Sequence, residues 1–70
     1  MFQSLQIICA PGSVDSVMDV LDGINESADS PVLSVSHEEA NVFIVRALYS
    51  DLMTVFRSFN GREDVWPAFV

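Results

Sequence analysis

The sequence predicts an α+β sandwich in the order βαββαβ, and three features of the chain point to it. Two segments place apolar residues at helical spacing, and strand-like runs flank each of them. The link between the second and third strand-like runs is too short for a helical crossover, so those strands should be antiparallel. The first and third runs are apolar on both sides, whereas the second and fourth contain proline, which suits central and edge positions respectively.

Ser4 to Cys9 reads as the first strand, with Leu5, Ile7 and Cys9 on one face. Ala10-Pro11-Gly12-Ser13 ends it, and Ser13 is placed to cap a helix that has Asp15 in its first turn. Val14, Val17, Met18, Leu21 and Ile24 then repeat at the spacing of a helix packing one face on a core. Gly23 weakens that helix, whose end is expected to fray from there. Asn25 to Ser30 is polar, and Pro31 forbids further helix.

Pro31 to His37 alternates as a second strand, with Leu33 and Val35 facing one way and Ser34 and Ser36 the other. Glu38 to Asn41 is expected to form the turn into a third strand, Val42 to Ala47. Ser50 or Asp51 should cap a second helix with Leu52, Val55, Phe56 and Phe59 inward, closed by αL geometry at Asn60-Gly61. Val65 to Val70, with Pro67, reads as a short fourth edge strand. The result is a ferredoxin-like sandwich within one domain spanning residues 1–70: four antiparallel strands, with both helices on one face.

Two helices leave the other face of such a sheet open. Ile8, Val42, Ile44 and Trp66 are expected on that face, where an apolar patch usually marks a contact surface. Seventy residues lie near the lower limit for an unassisted fold, so association through this patch would supplement a small core. A homodimer or larger homo-oligomer is expected.

Composition excludes several function classes. Ten carboxylates stand against three arginines with no lysine, a formal charge of −7. Phosphate backbones and anionic lipid surfaces both require clustered cations, so direct nucleic-acid and membrane binding are not expected. No apolar run approaches the ~20 residues that span a bilayer, and Met1 to Ser4 lacks the basic start of a signal peptide. The lone Cys9 fits a reducing cytoplasm and reads as a small core residue. His37, Glu38 and Glu39 are adjacent and so point in different directions; a solvated turn is expected there, not a metal or acid–base centre. Neither a phosphate-cradling glycine loop nor a catalytic constellation is present, and the reading is of a non-enzymatic protein without metal or cofactor.

Asp15, Asp19, Asp22 and Glu26 recur at intervals of four, three and four, which gathers them within roughly 60° of arc on the first helix. Such a stripe keeps a small domain soluble, and a salt-adapted proteome would also favour it. Like charges at this spacing nonetheless repel by a few tenths of a kcal/mol, and no basic residue answers them. The row suits a basic groove on another macromolecule, such as a protein's nucleic-acid-binding surface.

Cys9-Ala10-Pro11-Gly12-Ser13-Val14, at the junction of the first strand and first helix, resembles the D-x-P-G-x-L signature of ACT domains. These are regulatory ferredoxin-like modules that bind amino acids, usually at dimer interfaces. The resemblance implies a small ligand approached by Pro11, Gly12 and Ser13, facing the second strand of a partner subunit. Cys9 stands where the signature has its acid, which removes one polar ligand contact.

Two principal expectations follow. One is an acidic regulatory protein, of a kind that would suit a phage- or plasmid-encoded inhibitor, binding a basic protein through Asp15, Asp19, Asp22 and Glu26. The other is an ACT-like sensor of an amino acid or similar metabolite. A structural assembly subunit is a third.

Overall fold

Alternation along β1 (Phe2–Cys9) places Leu5, Ile7 and Cys9 on one face, and all three are fully buried. The structure is a computed structural model and describes residues 2–26 and 32–70 apart from the Phe2 side chain. A 3-10 turn over Pro11–Ser13 then runs without a break into α1 (Val14–Glu26). Ser13 therefore does not cap the helix as expected. Ala10 occupies the cap position, its backbone extended ahead of Pro11, and Ser13 lies inside the helical turn.

Helix α1 continues through Gly23 to Glu26, without the expected fraying. Val17 and Leu21 are buried, with Val14, Val20 and Ile24 packed at the margin of the core. Met18, expected inside, is 41% exposed. Steps of about 100° per residue put it on the border between the inner arc and the acidic arc, while Val20 closes the opposite border.

Strand β2 (Ser34–Glu39) begins after Leu33, and the predicted start at Pro31 lies outside the described residues. It also runs through Glu38 and Glu39, which were expected in the turn. A bulge between His37 and Glu39 absorbs one residue and lets pairing continue to Glu39 opposite Val42. The turn itself is Ala40-Asn41. Strand β3 (Val42–Leu48) buries Phe43, Val45 and Ala47.

Helix α2 (Tyr49–Phe59) follows directly and begins before the expected cap at Ser50 or Asp51. Leu48 holds the cap position with no side-chain hydrogen bond, while Asp51 in the first turn still favours the helix dipole. Leu52, Val55 and Phe59 are buried and Phe56 packs beside them. The Asn60 N–H donates to the Phe56 carbonyl at 2.8 Å, and Asn60 ends the helix with an extended backbone rather than by the expected αL geometry. Gly61 follows at a left-handed φ of 89° in the turn that the Arg62 N–H closes on the Phe59 carbonyl at 3.2 Å. Strand β4 (Val65–Phe69) then places Pro67 opposite Ile7 on the sheet edge.

The strand order is β2-β3-β1-β4, antiparallel throughout, which is the ferredoxin-like topology. The central strands β1 and β3 bury Leu5, Ile7 and Cys9 and Phe43, Val45 and Ala47 on the helix side, because they have neighbours on both sides and a helix layer across that face. Helix α2 packs across β1, β3 and β4, whereas the nearest backbone neighbours of α1 are α2 and the 3-10 turn. On strand β2 every residue from Ser34 to Glu39 is exposed.

Candidate functional site

The β1–α1 junction is held by two polar side chains from distant turns. At Asn41, the carbonyl accepts the Cys9 N–H at 3.1 Å and the side-chain amide donates to the Cys9 carbonyl at 2.8 Å. From the α2–β4 turn, the Asp64 carbonyl accepts the Ala10 N–H at 2.8 Å. The Ser13 hydroxyl donates to Asp64 Oδ2 at 2.6 Å, and Arg62 pairs with both carboxylate oxygens at 3.0 and 2.7 Å. The Arg62 guanidinium also reaches the Ser16 hydroxyl at 3.3 Å and lies over the Phe59 ring.

This arrangement fixes the local electrostatics. Hydrogen bonds from Arg62 and then Ser13 hold the Asp64 carboxyl well below the usual range, at about 2. Burial pushes the Cys9 thiol up; the Asp64 charge adds to that shift and Arg62 opposes it. Chemically the cluster is a staple rather than a reactive centre, since its donors and acceptors satisfy one another. A carboxylate does reach the turn that resembles the ACT signature, but it comes from Asp64 and is engaged by Arg62. Among Pro11, Gly12 and Ser13, the serine hydroxyl is thus already committed, while a Cβ added at Gly12 would meet open space.

Asp15, Asp19, Asp22 and Glu26 lie on one exposed face of α1. None of them forms an ion pair among the described residues, where Arg62–Asp64 is the one salt bridge. Arg57 sits in the last turn of α2, and Arg46 lies on β3 facing away from the helices.

No family model, curated protein or solved structure matches the chain. The surfaces of the molecule therefore carry the functional argument.

On the open face of the sheet, register aligns Val42, Ile8 and Trp66 in one row, with Glu39 at its end. The next row is Ser36, Ile44, Gln6 and Ala68, and the one beyond contains Ser34, Arg46 and Ser4. The apolar residues thus gather toward the Cys9 end of β1, and Trp66 there is 54% exposed. The four predicted interface residues share this face with Ala68 and exposed Leu48, while Gln6, Ser4, Arg46, Ser34 and Ser36 make its other positions polar.

A groove that sequence reasoning missed lies on the helix side, between α1 and β2. Met18 and Val35 form its walls, Leu21 and Phe43 its floor, and Asp22 and His37 its rim, enclosing about 200 Å³. His37 stacks on Phe43 at 4.4 Å between ring centroids, and its Nε2 donates to the Ala40 carbonyl at 3.1 Å. Glu38 and Glu39 are exposed beside it, and no three metal-ligating side chains gather among the described residues. Periodicity alone had put Met18 in the core; its border position on the helical arc was the available signal. No helix among the described residues is long and apolar enough to cross a membrane.

Proposed function

We propose that this chain is a non-enzymatic acidic regulatory protein that associates through its sheet and docks the outer face of α1 on a basic partner. One observation carries the reading: four carboxylates share one exposed helical face, and none is engaged by a cation among the described residues. A row of unpaired charge speeds encounter with an oppositely charged groove and selects against acidic partners. The Ile8, Val42, Ile44 and Trp66 patch lies on the far side of the sheet, so self-association there leaves α1 free. A basic protein whose nucleic-acid-binding surface would be occupied is the partner class that best fits, and a reducing cytoplasm suits the buried free thiol of Cys9.

The test is capture of basic proteins from a cell extract by the immobilised chain, at low and at high salt. Capture should be lost at high salt and on Asp19→Lys with Asp22→Lys, while circular dichroism shows the fold retained. Capture unaffected by that charge reversal would sink the reading.

The ACT-like alternative draws support from Gly12. Its φ is not in the left-handed region and nothing crowds its missing Cβ, so the fold itself does not require glycine there. A ligand approaching that backbone would. Thermal stabilisation by an amino acid, abolished by Gly12→Val and indifferent to the charges of α1, would favour this sensor over the docking protein.

A further inference from the structure

We infer that the free edge of β2, with the groove between β2 and α1, receives an extended basic segment of another protein as a fifth strand. The inference deepens the proposed function and rests on its basic partner, but it arises from different residues. Among the described residues strand β2 pairs with β3 alone, and Ser34 to Glu39 are exposed throughout. One edge of hydrogen-bonding groups is consequently open, the situation in which a further strand adds.

The side chains beside this edge form a receptor for alternate residues. Val35 and His37 lie on the helix side, opposite buried Val45 and Phe43 in the register. Met18 faces Val35 across the groove, and both remain more than 40% exposed. At about 200 Å³ the groove is smaller than the roughly 300–1,000 Å³ of small-molecule sites, and is on the scale of inserted side chains. An incoming strand turns every second residue to this side, so an apolar residue enters between Met18 and Val35.

Charge selects the occupant. Asp22 borders the groove, Asp15, Asp19 and Glu26 continue along the same helix, and Glu38 and Glu39 occupy the strand. Of the three arginines, Arg46 faces the opposite side of the sheet, Arg57 sits in the last turn of α2, and Arg62 is held by Asp64. A second copy would bring the same carboxylates with a formal charge of −7 and no lysine to answer them. A segment alternating apolar and basic residues supplies both what the groove and what its rim lack.

Three labelled ten-residue peptides, titrated with the full chain by fluorescence anisotropy, test the inference. The first alternates Val and Arg, the second alternates Ser and Arg, and the third is the Val/Arg peptide N-methylated at alternate amides. The first should bind about tenfold more tightly than either control, a difference of about 1.4 kcal/mol. Val35→Thr with Met18→Gln, which leaves charge unchanged, should remove that advantage without altering binding of the Ser/Arg peptide. Amide shifts on binding should concentrate at Ser34 to His37.

Equal binding of all three peptides, lost on Asp19→Lys with Asp22→Lys, would overturn strand addition and leave the acidic-face reading standing. Failure of every peptide to bind would overturn both. Concentration-dependent protection of the β2 amides in the protein alone, released by Val35→Thr, would assign the edge to a second copy and overturn the basic segment. Because the peptide comparison uses the unmodified chain, it decides the matter even if the double variant fails to fold.

Discussion

Asn25, in the last turn of α1, pairs with both backbone groups of Leu33: its Oδ1 accepts the Leu33 N–H at 2.8 Å and its Nδ2 donates to the Leu33 carbonyl at 3.5 Å. The same Oδ1 accepts the Val32 N–H at 3.0 Å. A single side chain thus does for the start of β2 what a neighbouring strand would do. It also sets where the strand meets the helix layer and buries Leu33. Asn25→Ala would leave those backbone groups dependent on water, at a cost of about 1–2 kcal/mol. Urea unfolding should show the loss, with faster amide exchange at Val32 and Leu33. Asn25→Asp should retain the acceptor and recover part of it.

The Asp64 carboxyl predicts an acid-sensitive fold. Its folded pKa, at about 2, lies below the ordinary carboxylate value of 3.8, so protons bind the unfolded chain more readily. This contribution is complete above the unfolded pKa and is lost as pH falls through the folded one, between roughly pH 4 and pH 2. Asp64→Asn should lower the melting temperature at neutral pH and flatten its decline across that window. An unchanged acid limb in the variant would assign the sensitivity to other carboxylates.

Cys9 should be inert while the protein is folded. Its side chain is fully buried and its thiol is pushed up by that burial, so little thiolate is present at neutral pH. Reaction with a thiol-specific disulfide reagent should be slow in buffer and immediate in denaturant. Arg62→Gln removes the cation that opposes the upward shift and should slow the native reaction further. Rapid labelling of the native protein would contradict the burial.

Two glycine substitutions should separate cleanly. Gly61 has a φ of 89°, where a side chain is strained whatever space surrounds it, so Gly61→Ala should cost about 1 kcal/mol. Gly12→Ala meets open space at an ordinary φ and should leave the melting temperature nearly unchanged. The second result matters for function, because any ligand loss in Gly12 variants then reflects approach of the ligand rather than damage to the fold.

The aromatic core sets the stability limit. Phe59 is fully buried and supports the Arg62 guanidinium 5.8 Å above its ring. Phe59→Ala should cost about 3–5 kcal/mol, comparable with the whole stability of a domain this small. Circular dichroism at ambient temperature should show the variant largely unfolded, and Phe59→Leu should rescue it.

The fold was legible because its signals are local. Leu5, Ile7 and Cys9 share a face by simple alternation, and Leu52, Val55 and Phe59 by helical spacing, without reference to the rest of the chain. Helix starts were less legible: Ser13 and Ser50 are good capping residues, yet Pro11 and Tyr49 begin the helical turns earlier. Met18 shows the same limit, since periodicity locates the centre of a helical face better than its border.

By itself the sequence determined the ferredoxin-like order, the inward faces of β1, β3 and α2, and the acidic outer face of α1, all of which follow from residue type and chain period. Only the tertiary structure decided that Ser13 meets Asp64 across 51 positions, that Asn41 clasps Cys9 across 32, and that β2 stays exposed from Ser34 to Glu39. Those contacts depend on how turns at the sheet ends are aimed and on a few ångströms of helix placement. No local pattern of polar and apolar residues encodes such distances, which emerge when the two helices compete for space on one small sheet.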